Sequence, residues 1–418
     1  MRRLLTFSYV SLCLAVFSGV VKAADNDFTS LTNGTNLDGW IQRGGNATFS
    51  FEDGCIVGKR GDGPNSFLCT EKEYGNFILK FDCKFDKPIH SGVQLRSHVR
   101  TDGDREVVYG YQCKIADGGS FLTSSGCLYG IYGGDPIRDR WLDHYSAPGA
   151  DTETASKAFQ WQDWNSFEIQ CVGPTIKTWV NGVLCANYFD TASLKGFIGL
   201  EVHASETDGQ IRWKNLVLRE LPESVWVPLF KDKEFSDLWV SPAGKWEMDD
   251  EGIVHAWSTA DQSRDGMLKT PFVYRDFAAR VKFKQIGGNS GMYFRGVEID
   301  KPHWLAGYQN EIDANATGSL WEVREPNIVD RGGWILRNFD TAAKVFKTGE
   351  WNELCVVAVG DRLVTILNGQ EIANFLDPQC LKMGKLALQL HGHSNTEYYF
   401  KDWEVLTVTK EQRDLIER

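Results

Sequence analysis

The residues of this chain with usable chemistry fall in short rows at alternate positions. Gln309, Glu311 and Asp313 form one such row, Tyr293 and Arg295 a second, and Gln389 and His391 a third. Successive side chains of an extended strand point to opposite faces, so each row occupies one face of its strand. If the three strands are neighbours, the rows meet on one sheet surface, flanked by Tyr308 and Trp304. A carboxylate, an imidazole and a guanidinium placed together supply a general base, a general acid and a stabiliser for a developing oxyanion. Glu311, His391 and Arg295 are therefore the catalytic candidates. Tyr293, Tyr308, Gln309, Asp313 and Gln389 are candidate substrate-binding groups. The competing reading of every such row is the solvated face of an antiparallel sheet.

Weaker versions of these rows occur earlier in the chain. Gln94 and Arg96 alternate in one, Gln112 and Lys114 in another, Glu201 and His203 in a third, and all six are candidate binding residues. Each set is accompanied by polar and aromatic loop residues: Arg138, Arg140, Trp141 and His144 in the first, Arg331, Trp334 and Arg337 in the second. Ordinary loop solvation is the alternative for these.

The pairing of rows reflects an internal duplication. Ser91-Gly92 through Arg96 aligns with Ser290-Gly291 through Arg295, and Gly110-Tyr111-Gln112 aligns with Gly307-Tyr308-Gln309. Trp164-Asn165 aligns with Trp351-Asn352, Asn181-Gly182 with Asn368-Gly369, and 200–203 with 388–391. The spacing between the copies shortens along the chain, so the first copy carries extra residues between Cys113 and Trp164. A repeat of this length is a duplicated domain rather than a solenoid. The expected domains are 24–221 and 225–408, joined by Pro222-Glu223-Ser224, a linker short enough to imply packed domains.

The elements that must position the rows are strands. Segments 77–85, 167–172, 176–180, 278–283, 354–359 and 363–367 are rich in β-formers and bounded by Gly, Asn, Asp or Pro. The two Asn-Gly pairs suit tight hairpin turns, where both residues adopt positive φ. No long stretch has helical periodicity. Many alternating strands per copy predict an all-β double-sheet sandwich or jelly roll.

Residues 1–23 read as a secretory signal peptide, with Arg2 and Arg3 ahead of a short, broken apolar run and Val21-Lys22-Ala23 at its end. A periplasmic or extracellular location follows, and no later segment could span a bilayer. The net charge of −11 becomes more negative once Arg2, Arg3 and Lys22 are removed. An acidic chain without a basic cluster excludes nucleic-acid binding and favours neutral substrates. Nine cysteines remain after the leader. No spacing among them suggests zinc. A Cys69–Cys83 bridge requires the strands around Tyr74-Gly75 to pair, and buried free thiols are the preferred reading.

Both copies resemble the 3-keto-disaccharide hydrolase domain family. The resemblance rests on an opening Asn33-Gly34, Leu37, Gly39-Trp40, then the Ser-Gly-x-x-x-Arg and Gly-Tyr-x-x-x-Ile strands, Trp-Asn, Asn-Gly and the late Gly196-x-x-Gly199-Leu200-x-x-His203 strand. It implies two tandem concanavalin A-like jelly-roll sandwiches and cleavage of glycosides already oxidised at C3. There the ketone acidifies the C2 proton, a base removes it, the glycosidic oxygen leaves C1 and water adds back, unlike the paired-carboxylate route of ordinary glycosidases. The family often has Glu directly after Gly-Tyr, where this chain has Gln112 and Gln309. Only the second copy keeps acids nearby, at Glu311 and Asp313, so the second copy is the expected catalyst. The alternative function is a non-catalytic, lectin-like carbohydrate binder. No cofactor is expected, although His and carboxylates could hold a divalent metal.

Overall fold

The computed structural model describes residues 27–115, 125–131, 141–143, 151–204, 208–299, 305–329 and 331–417. The expected signal peptide lies outside the described residues, as do Arg138, Arg140, His144 and Trp304.

The chain folds as two all-β sandwiches, each a pair of antiparallel sheets, as the sequence predicts. In the first copy one sheet has Asn76–Lys87 at its middle, between Asn165–Val172 and Gln210–Leu221. The other has Ser91–Asp102 between Arg105–Ile115 and Phe197–Val202. The second copy repeats this arrangement. Phe277–Gly287 lies between Asn352–Val359 and Thr396–Thr407, and Ser290–Glu298 lies between Leu305–Ile312 and Lys385–Leu390. The sheets of the first copy use strands from Thr29 to Leu221, and those of the second from Val227 to Thr407.

Alternation builds the cores. Phe77, Leu79, Phe81, Cys83 and Phe85 take every second position of one strand and all face the interior of the first copy, with Trp213 fully buried beside them. Phe277, Ala279, Val281 and Phe283 do the same in the second copy, where Trp403 takes the place of Trp213. Each such large side chain contributes roughly 1.5–3 kcal/mol by leaving water.

The Asn-Gly pairs are the expected hairpin turns. Asn181 and Gly182 have φ of 49° and 81°, and Asn368 and Gly369 have 50° and 81°. The Trp-Asn motif is tied to these turns. Asn181 donates to the Asn165 amide oxygen over 2.8 Å and Asn368 to that of Asn352 over 2.9 Å. Both motifs are thus scaffold features.

All nine described cysteines are buried free thiols. Cys69 and Cys83 lie on strands of opposite sheets, so the pairing that a bridge requires does not occur.

The two sandwiches pack against each other through one sheet of each. Ile78, Val172 and Phe189 of the first copy meet Ala278, Val357 and Ile366 of the second, with Ile416 of the terminal helix Lys410–Glu417. The linker is fixed as well, since Asn76 and Gln412 both donate to the Pro222 carbonyl, at 2.6 and 2.9 Å. The remaining sheet of each copy, centred on the Ser-Gly strand, carries the polar rows.

Candidate functional site

In the second copy Gly291 sits opposite Glu311 on one neighbouring strand and Gln389 on the other, while Tyr293 sits opposite Gln309 and Gln309 opposite Trp321. This register brings members of all three predicted rows, Tyr293, Gln309, Glu311, Gln389 and His391, onto one surface. Gly291 leaves room for the Gln309 side chain, since a Cβ there would meet its amide nitrogen at 2.5 Å and force it to shift. A chain of hydrogen bonds then crosses the sheet. Gln389 donates to Asp265 over 2.7 Å and accepts from Gln309 over 3.0 Å. Gln309 also donates to Glu311 over 3.2 Å, and Asn289 donates to the other Glu311 oxygen. Asp265 is held in turn by the Gly392 N–H at 2.7 Å.

Asp265, Asn289, Tyr293, Gln309, Glu311 and Gln389 line a cavity of about 600 Å³ with His391 and Trp321, a volume in the range of small-molecule sites. Trp334 packs edge-on against Trp321, with ring centroids 5.2 Å apart. Glu311 is 6% exposed. Burial pushes its carboxyl up to about 7, against the hydrogen bond from Asn289 and the attraction of His391, while Asp313 pushes it further up. A carboxyl near 7 exchanges protons in either direction at neutral pH. His391 has its Nδ1 2.6 Å from the Gly392 carbonyl. The carbonyl can only accept, so Nδ1 carries the proton and Nε2 is left for the pocket in the neutral ring. Burial raises the Tyr293 phenol far above its ordinary range, helped by Asp265 and Glu311, so Tyr293 remains a hydroxyl donor.

Other predicted members lie elsewhere. Arg295 is fully buried in the interior, where it donates to the carbonyls of Arg275 (3.1 and 2.9 Å), Gly360 (2.9 Å) and Leu381 (3.0 Å) and approaches Asp276 at 3.6 Å. Arg96 does the same in the first copy, donating to Gly75, Gly173 and Asn76. The expectation that the guanidinium joins the polar row is corrected by the backbone. Both arginines sit at a β-bulge with positive φ, 46° and 49°, which turns the side chain off its expected face. Tyr308 also points inward, stacked on Phe294 at 5.3 Å, and donates to Asp377. Arg331 closes that cluster by donating to Tyr308, Asp377 and Glu322 at 2.7, 2.6 and 2.9 Å. Asp313 lies just past the strand, where its carboxylate accepts from the Asn315 N–H of a turn. Gln94 is buried against Ser97, outside the pocket lining of its copy.

The first copy has a corresponding cavity of about 370 Å³, lined by Gln112, Lys114, Glu201, His203, Asn65 and His90 among others. Its aromatic wall is Tyr129 against Trp141, again edge-on at 5.2 Å. Asn65 donates to Glu201 over 2.8 Å and accepts from the Ala204 N–H over 2.9 Å. Amide and acid have thus exchanged places relative to Asp265 and Gln389. Lys114 stands where the second copy has Glu311, and its Nζ lies 3.8 Å from Glu201. Burial holds the His203 imidazole below its ordinary value.

Asp265, Asn289 and Trp321, and their counterparts Asn65, His90 and Tyr129, are the site residues that the alternating rows do not reveal. The signal for the first pair was present in the repeat, because Asn65 with Glu201 becomes Asp265 with Gln389. Among the described residues, no three or more His, Cys, Asp or Glu side chains are grouped to hold a metal ion.

Comparison with known proteins places the chain in a family. Among solved structures, a provisionally named glycosyl hydrolase from Parabacteroides distasonis ATCC 8503 is 20% identical, with 44% of this chain and 100% of that chain covered and a TM-score of 0.33. The carbohydrate binding module CBM66 from Bacillus subtilis is 16% identical, with 46% and 100% covered and a TM-score of 0.33. A Bacillus licheniformis β-glucanase is 13% identical, with 46% and 100% covered and a TM-score of 0.33. No curated protein sequence matches significantly. Residues 27–219 and again 225–406 match the 3-keto-alpha-glucoside-1,2-lyase-like domain, and the chain belongs to that family as a tandem pair.

Proposed function

We propose that the protein is a carbohydrate-active enzyme whose second copy cleaves the glycosidic bond of 3-keto-glucosides by elimination and hydration. The carrying observation is Glu311, a buried carboxyl raised to about 7 inside a sugar-sized pocket that also holds His391.

Each step has a group available for it. Glu311 as carboxylate takes the C2 proton, and the C2–H electron pair becomes the C1=C2 double bond as C1–O breaks. Negative charge building on the C3 ketone oxygen is met by the Tyr293 hydroxyl, which takes the stabilising role first expected of Arg295. His391 in its protonated form delivers a proton to the departing glycosidic oxygen. Water then adds, its hydroxyl to C1, while Glu311, whose proton exchanges with solvent before re-addition, protonates C2 and His391 recovers a proton from the water. The net reaction is hydrolysis with no change of oxidation state. Trp321 offers an aromatic face to the sugar ring.

Turnover in D₂O tests this route. Elimination places deuterium at C2 of the released 3-keto sugar faster than background exchange does, whereas direct displacement at C1 leaves protium there.

The arrangement of Arg2, Arg3, the apolar run and Val21-Lys22-Ala23 supports action outside the cytoplasm. Recovery of a chain beginning at Ala24 from the periplasm or medium is the expected outcome.

A further inference from the structure

The pocket of the first copy contains buried polar atoms without a hydrogen-bond partner: the Gln112 amide nitrogen and one Glu201 carboxylate oxygen. Gln112 and Glu201 are each only 1% exposed. An unpartnered polar atom at that depth costs about 1–3 kcal/mol, and both residues line one cavity. In the second copy the equivalent groups bond one another through the Asp265–Gln389–Gln309–Glu311 chain. The first-copy pocket is therefore built around bonds still to be made.

Their donor and acceptor types identify the ligand. Lys114 offers only donors, the unpartnered atom of Gln112 is its donor nitrogen, and Glu201, as the carboxylate facing Lys114, offers only an acceptor. Lys114 and Glu201 lie 3.8 Å apart, too far for a direct hydrogen bond. A ketone oxygen accepts from Lys114 or Gln112 and leaves Glu201 unpaired. A hydroxyl accepts from one and donates to the other. The exchange of Asn65 and Glu201 for Asp265 and Gln389 keeps one carboxylate in each pocket, so the change from Glu311 to Lys114 is an uncompensated loss of the acid/base group.

We infer that the first copy is a second, non-cleaving carbohydrate site that binds an unoxidised sugar through a hydroxyl bridging Lys114 and Glu201, against the Tyr129–Trp141 wall. This rests on the sugar-directed reading of the second copy but assigns the opposite oxidation state at the recognised carbon. The two copies then handle a parent glycoside and its 3-keto form respectively.

The test is calorimetric titration of the full chain, carrying Glu311→Gln so that no sugar is consumed, with maltose, cellobiose and trehalose. Saturable binding of at least one is expected. Lys114→Met and the isosteric Glu201→Gln should each weaken it by about tenfold or more, the loss typical of one charged hydrogen bond, with the unfolding midpoint recorded to show that each variant is folded. A crystal grown with the bound disaccharide should show a hydroxyl between Lys114 and Glu201. No saturable binding, binding that folded Lys114→Met and Glu201→Gln leave within twofold, or sugar found only in the second-copy pocket would each overturn the inference. Cleavage of a 3-keto-glucoside, measured separately on the unsubstituted chain, tests the second-copy reading, so either can fail alone.

Discussion

Gln389 donates to Asp265 over 2.7 Å, and the same two places in the first copy hold Glu201 and Asn65, with donor and acceptor exchanged over 2.8 Å. A hydrogen bond between an acid and an amide can be built either way round, provided that one of each is present. Two acids repel and two amides lose the charged partner.

The pair should therefore behave as a unit. Gln389→Glu places a second carboxylate against Asp265 and should destabilise the chain by about 1–3 kcal/mol. Adding Asp265→Asn should restore most of that loss. Denaturant unfolding of the two single variants and the double variant gives the coupling energy, and strictly additive effects would contradict the pairing.

Arg295 is a structural residue despite its place in the motif. Arg295→Met leaves the carbonyls of Arg275, Gly360 and Leu381 without their guanidinium donor and removes one of the two arginines, with Arg413, that pair with Asp276. Loss of about 3–5 kcal/mol is expected, read as a lowered denaturation midpoint. Full stability with lost turnover would instead return Arg295 to the catalytic site.

How much of this was legible in the sequence depends on how local the cause is. Asn181-Gly182 and Asn368-Gly369 announce their turns because two residues suffice to set positive φ. The meeting of Gln309, Glu311, Gln389 and His391 could be read from alternation, since no bulge interrupts those strands between the paired positions. Arg295 could not, because one residue in the left-handed region breaks the period-two rule without changing the residue pattern. Tyr308 neighbours Gln309 in sequence, but alternation puts it on the opposite face, against Phe294. Asp265 and Asn289 sit just before strands, and only the three-dimensional pairing carries them to Gln389 and Glu311.

The raised carboxyl of Glu311 has a consequence for stability. Its folded value of about 7 lies above the ordinary 4.5, so the folded chain binds the proton more tightly. The neutral form's advantage is fully present below pH 4.5 and is lost as pH rises through about 7. Unfolding free energy should fall by about 3 kcal/mol over that window from this group alone. Glu311→Gln should flatten that part of the profile, as measured by denaturant unfolding at pH 5 and pH 8. An unchanged profile would mean that Glu311 is not the titrating group.

The same carboxyl should shape turnover. As a base it must be ionised, so kcat/KM on a 3-keto-glucoside should fall about tenfold per pH unit below about 7. A flat profile between pH 5 and 7 would assign proton removal to another residue.

The central claim is that Glu311 removes the C2 proton of an oxidised sugar. The most direct test is kcat/KM of Glu311→Gln against the unsubstituted chain on a 3-keto-glucoside, with the unoxidised parent run alongside. The account predicts a loss of roughly 10²–10⁴-fold in a variant that still folds, with no cleavage of the parent by either protein. Undiminished cleavage by the variant, or cleavage of the parent alone, would contradict it.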